Sequence, residues 1–123
     1  MQKVLIAEDE RNVRLTLELC LEGAGFEVIS AEDGIKALQL ATERKPDVIL
    51  LDLVLPGMSG FLVLEAIRSE PSSKDIPVII ISAKAQDDDI RRARQLGAND
   101  YLVKPFTPGK LLQVVKSNLD KGA

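Results

Sequence analysis

Residues 47–60 read Asp47-Val48-Ile49-Leu50-Leu51-Asp52-Leu53-Val54-Leu55-Pro56-Gly57-Met58-Ser59-Gly60. Val48 to Leu51 form a short, continuous apolar run. Such a run suits a parallel strand covered on both faces, whereas a half-exposed strand would alternate. A carboxylate, Asp52, stands directly at its end, and Pro56, Gly57 and Gly60 then turn the chain. The same construction recurs on either side: Val4-Leu5-Ile6-Ala7 leads into Glu8-Asp9-Glu10, and Val78-Ile79-Ile80-Ile81 leads into Ser82-Ala83.

Two weaker strands complete the pattern. Phe26 to Ser30 is interrupted by Glu27, as an edge strand would be, and Asp100 to Val103 is a short fifth strand that ends at Lys104-Pro105-Phe106. Helical periodicity fills the gaps. Residues 11–22 place Val13, Leu17, Cys20 and Leu21 on one face. Residues 34–44 do so with Ile35, Leu38 and Leu40 or Ala41, residues 60–69 with Phe61, Leu64 and Ile67, and residues 107–119 with Leu111, Leu112, Val115 and Leu119. Asp33 and Ser59 are expected N-caps, and Thr107 precedes Pro108, a favoured first helical residue. Residues 86–96 are weakly amphipathic. Their Asp87-Asp88-Asp89, followed by Arg91, Arg92 and Arg94, match the helix dipole better than a metal site.

Alternating strands and helices with right-handed crossovers predict an α/β fold, a doubly wound five-stranded parallel sheet of the flavodoxin-like order 2-1-3-4-5. In that order strands 1 and 3 are neighbours. Their ends line the ligand crevice and bring Glu8, Asp9 and Asp52 together.

Composition narrows the function. The chain has 123 residues, 46% of them hydrophobic, and reads as one domain over 1–123. A net charge of −3 argues against a nucleic-acid surface. There is no apolar stretch of about 18 residues and no signal peptide, so a soluble, cytoplasmic chain without membrane contact is expected. The lone Cys20 leaves no internal disulfide and no multi-cysteine metal site; its helical spacing reads as core packing beside Val13, Leu17, Leu21 and Ala24. Histidine is absent, which removes a Ser-His-Asp triad and most zinc sites.

Several carboxylates in one crevice stay ionised only with a compensating cation. Oxygen-only ligands point to a hard ion, and Mg²⁺ suits one or two carboxylates with phosphate oxygens and water. Asp9 and Asp52 are the expected direct ligands, Glu8 a ligand through water, and the backbone carbonyl of Val54 a further one. Such an ion lets an anionic nucleophile approach a phosphoryl group. Lys104 offers a point charge to a phosphate oxygen and Ser82 a hydroxyl. The Lys104-Pro105 bond is a candidate cis peptide.

These residues carry a resemblance. Val4–Glu10, Asp47–Gly60, Pro77–Ala83 and Leu96–Phe106 together make the chain similar to the receiver domain of two-component response regulators, the chemotaxis-type receivers included, over essentially its whole length. The resemblance implies that Asp52 takes a phosphoryl group, with Mg²⁺, from a phosphohistidine on a partner histidine kinase or phosphotransfer protein. It implies a switch in which Ser82 moves inward and Tyr101 turns into the vacated space. A face built from residues 86–119 would then change shape for a downstream protein. The domain would be a signalling phosphoacceptor that also promotes its own dephosphorylation.

One departure concerns pairing. Many transcription-factor receivers carry an arginine near Val114 that joins two receivers, and Val114-Val115 stands here instead. A second concerns hydrolysis: Val54 and Lys84 flank the expected path of an attacking water, and slow loss of the phosphoryl group is expected. A stand-alone receiver and the amino-terminal receiver of a longer DNA-binding regulator both fit the sequence. A flavodoxin-like electron carrier would need a phosphate loop where Glu8-Asp9-Glu10 stands. A small-molecule aspartyl-phosphate hydrolase would need a carboxylate at Val54.

Overall fold

The computed structural model describes residues 1–83 and 86–121. In chain order the elements are β1 (Lys3–Ala7), α1 (Arg11–Gly23), β2 (Glu27–Ala31), α2 (Gly34–Arg44), β3 (Val48–Asp52), α3 (Gly60–Ser69), β4 (Val78–Ser82), α4 (Asp87–Gln95), β5 (Asp100–Val103) and α5 (Pro108–Lys121). The five strands form one sheet in the order β2-β1-β3-β4-β5, and every neighbouring pair is parallel.

The apolar strand runs are continuous because successive side chains enter different cores. Leu5, Ala7, Ile49, Leu51, Val78 and Ile80 pack on one side of the sheet with Ala37, Leu40, Val63, Leu64 and Ala93 from α2, α3 and α4. Val4, Ile6, Val48, Leu50, Ile79 and Ile81 pack on the other with Leu17, Leu21, Leu111 and Val115 from α1 and α5. The three central strands are therefore closed to water on both faces, and their polar ends are the exposed chemistry.

The expected caps are present. Asp33 accepts from the Lys36 amide, Ser59 from the Leu62 amide and the Thr107 hydroxyl from the Lys110 amide. Three details differ from the periodicity. β2 begins at Glu27 rather than Phe26, whose amide closes the α1 turn on the Leu21 carbonyl. α2 buries Ala37, Leu40 and Ala41, while Ile35 is 65% exposed and Leu38 only half-buried. The cause is Gly34. A side chain there would meet the Met58 carbonyl oxygen at 2.5 Å, so this glycine turns inward and Ile35, one step or about 100° round the helix, turns out. Cys20 is half-buried against the α1–α5 core rather than enclosed, and Ala24 is exposed.

Candidate functional site

Adjacent parallel strands β1 and β3 deliver Glu8, Asp9 and Asp52 to one place. A carboxylate oxygen of each lies within 4.8 Å of the others. Glu8 is 1% exposed and Asp52 5%, while Asp9 stands exposed at the rim. Lys104, just past β5, reaches across β4 into the cluster. Its ammonium donates to Glu8 Oε1 at 2.5 Å and to Asp52 Oδ2 at 2.7 Å. Asp52 Oδ1 accepts from the Val54 amide at 2.9 Å, and Glu8 Oε2 from the Glu10 amide at 3.3 Å. These groups, with Ser82, border an open cavity of about 220 Å³.

The loop after Asp52 depends on glycine. A Cβ at Gly60 would lie 2.4 Å from the Asp52 carbonyl oxygen and 2.5 Å from Leu53 Cα, so α3 starts this close to the strand end only because Gly60 has no side chain. Gly57 takes φ +80°, a conformation that side-chain-bearing residues rarely adopt.

Burial dominates the electrostatics. It pushes the Glu8 carboxyl up to about 7; the hydrogen bond from Lys104 opposes the rise and the charge of Asp52 adds to it. Burial also works against the Lys104 ammonium, but its bonds to Asp52 and Glu8 outweigh this and hold its pKa above the ordinary value. Three acids thus face one base, and all their donor atoms are oxygen. That set matches a hard divalent cation.

Ser82 is buried at the end of β4, close enough to the Tyr101 hydroxyl to influence it. Burial raises the Tyr101 pKa, and Ser82 pulls it partly back. The Lys104 amide donates to the Ser82 carbonyl at 2.8 Å, so the ends of β4 and β5 are joined directly beneath the cavity.

Each predicted site residue among those described therefore borders the cavity or, as with Tyr101, lies near one that does. The Lys104-Pro105 peptide is cis. Lys84 lies outside the described residues. Two groups went unnoticed in the sequence. Arg14 of α1 binds the carbonyls of Glu8 and Asp9, and pairs with Glu32 of the β2–α2 loop. Arg68 ties α3 to the Gly97 and Ile76 carbonyls and to Asn99. A basic residue near a helix N-terminus opposes the macrodipole, and that misfit at Arg14 was the available signal.

The comparisons agree with this geometry. The response regulator receiver domain family matches residues 4–116. The phosphate regulon transcriptional regulatory protein PhoB of Pseudomonas aeruginosa is 38% identical over 116 residues, covering 94% of this chain and 51% of that protein. The Vibrio cholerae chemotaxis protein CheY4 superposes with a TM-score of 0.91 at 33% identity, over 95% of this chain and 98% of that one. So does the receiver domain of sensor histidine kinase PA1611 of Pseudomonas aeruginosa, with a magnesium ion coordinated in its active-site cleft: TM-score 0.91, 31% identity, 97% and 98% covered. The chain belongs to the response regulator receiver domain family of two-component signalling. It spans about half the length of PhoB.

Proposed function

We propose that Asp52 is the phosphoacceptor of this receiver and that a phosphohistidine on a partner histidine kinase or phosphotransfer protein is its donor. The observation that carries this reading is Asp52 itself: a nearly buried carboxylate, 2.7 Å from an ammonium, beside two further acids and open to a cavity. In the transfer a P–O bond to Asp52 forms as the P–N bond to the donor imidazole breaks, and the nitrogen keeps the electron pair. Residues 1–123 contain no histidine, so the donor lies outside them.

Asp9 and Asp52 would hold Mg²⁺ directly, with the Val54 carbonyl as a further ligand and Glu8 acting through water. The ion, when bound, neutralises charge between the entering phosphoryl oxygens and the carboxylates. Lys104 turns one of its donors from Asp52 to a phosphate oxygen. The Ser82 hydroxyl takes another oxygen by moving inward. Tyr101 then turns into the space that Ser82 leaves, which alters the face made by α4, β5 and α5, where a downstream protein docks. The phosphoryl group need only favour one of two conformations by a few kcal/mol.

The same site would hydrolyse its own acyl phosphate, slowly, because Val54 offers a passing water no hydrogen bond. We take residues 1–123 as one such domain acting in the cytoplasm. Among the described residues, no helix is long and apolar enough to cross a membrane. A second reading joins this domain to a DNA-binding output domain. It is favoured by the relatives, named transcriptional regulatory proteins, of which the chain covers 49–51%.

The test is direct. Incubation with Mg²⁺ and acetyl phosphate should give one acid-stable, base-labile adduct, mapped to Asp52. Asp52→Ala should abolish it, and Asp9→Asn should lose the Mg²⁺-dependent labelling. Labelling that survives Asp52→Ala refutes the assignment.

A further inference from the structure

Asp9 is the exposed member of the acidic cluster, and its direction is set from behind. Nη1 of Arg14 donates to the Glu8 carbonyl at 3.0 Å and to the Asp9 carbonyl at 3.3 Å. Those oxygens belong to the two peptide units on either side of the Asp9 Cα. Holding both planes removes the two soft dihedrals of Asp9 and so fixes where its side chain leaves the backbone. The preceding unit is also held, because the Glu8 amide donates to the Ala31 carbonyl at 3.1 Å. Nη2 of Arg14 lies 3.4 Å from Glu32 Oε1. The Arg14 side chain is only 12% exposed and Glu32 75%, so the guanidinium is enclosed with its grip on the loop while its counter-ion faces water.

Both bonds go to backbone oxygens rather than to carboxylates of the site. Arg14 is thus placed to orient the acidic loop without consuming the negative charge that a cation needs. Nη1 alone makes both bonds, and it lies one covalent bond beyond where a lysine nitrogen would end, so an ammonium would fall short of the two carbonyls.

We propose that Arg14 is the positioning residue for the divalent-cation site, holding the Glu8–Asp9 backbone so that the Asp9 carboxylate is presented to the ion before it arrives. This rests on the reading of the cluster as a Mg²⁺ site given above. It adds to that reading a residue which touches neither the ion nor the phosphoryl group.

Charge and positioning predict opposite signs, and this makes the idea testable. If Arg14 acted only through its charge, removing it would strengthen Mg²⁺ binding, since one cation would no longer repel another. If it positions Asp9, removal weakens binding. The experiment titrates the metal-free protein with Mg²⁺ alone, following backbone amide resonances of residues 8–10 and 52, for the unaltered chain, Arg14→Gln, Arg14→Lys and Glu32→Gln. The expected result is a Kd raised about tenfold in both Arg14 variants and changed less than twofold in Glu32→Gln. In acetyl phosphate labelling, the Mg²⁺ concentration for half-maximal rate should rise by the same factor, with most of the rate recovered at saturating Mg²⁺. Arg14→Lys keeps the charge and loses the reach to the two carbonyls, so it remains decisive if Arg14→Gln fails to fold. An unchanged or lower Kd in Arg14→Lys overturns the proposal. An unaltered chain with no response to Mg²⁺ overturns the functional reading instead.

Discussion

Lys104 Nζ donates to Asp52 Oδ2 across 2.7 Å, joining the ends of β5 and β3 over the intervening strand β4. Only the long, flexible lysine stem makes that reach, since neighbouring strands stand about 4.8 Å apart. The bond gives the site two roles for one cation. Without phosphate, the ammonium compensates Asp52 and Glu8; with phosphate, the same charge is available to read it.

Lys104→Ala should therefore fold, bind Mg²⁺ at least as tightly as the unaltered chain, and fail to switch. Tyr101 is the single tyrosine and there is no tryptophan, so intrinsic emission reports that ring alone. Mg²⁺ with beryllofluoride should change the emission of the unaltered protein and leave that of Lys104→Ala unchanged. Equal changes in both would remove Lys104 from the switch.

Tyr101 should also titrate late. Burial favours the neutral phenol, so the folded pKa lies above the ordinary value. The unfolded chain then loses this proton first as pH rises. The stability contributed by Tyr101 is complete below the unfolded pKa of about 10 and is lost as pH climbs through the folded value. Absorbance at about 295 nm, where phenolate absorbs, follows this one group. Because Ser82 lowers the pKa, Ser82→Ala should move the titration to still higher pH. A shift to lower pH would mean that Ser82 does not favour the phenolate.

Arg68→Met should destabilise the fold by about 2 kcal/mol, since several carbonyls lose a charged donor. The lost bonds are those to the carbonyls of Gly97, Lys74 and Ile76 and to the Asn99 side chain. Mg²⁺ affinity should stay within twofold, because these groups sit where β4 and β5 begin, away from the acidic cluster. Urea unfolding and a Mg²⁺ titration measure the two quantities separately.

Val54→Asn should hasten loss of the phosphoryl group roughly tenfold, the effect of orienting an attacking water with one hydrogen bond of about 1.4 kcal/mol. Val54 is 61% exposed beside Asp52, and its amide, not its side chain, holds the carboxylate. The exchange should therefore spare the fold. Phosphate release from the acetyl-phosphate-labelled protein checks it; an unchanged rate would place the water elsewhere.

How much of this was legible beforehand follows from the range of each interaction. The strand runs Val4–Ala7, Val48–Leu51 and Val78–Ile81 were readable because burial on both faces demands continuous apolar residues, a constraint each segment carries within itself. The caps at Asp33, Ser59 and Thr107 are equally local, made with amides three residues on. Parallel strands joined by right-handed crossovers leave few orders, so the meeting of Glu8, Asp9 and Asp52 followed from topology. The tertiary structure decided what depends on distant partners. Ile35 faces solvent because Gly34 is pressed against Met58, twenty-four positions away in a loop that no periodicity describes. Lys104 binds Glu8 as well as Asp52 because two strand ends converge beneath it. Arg14 and Arg68 bind backbone carbonyls, which every residue possesses, so no pattern of side chains in the chain could have announced their partners.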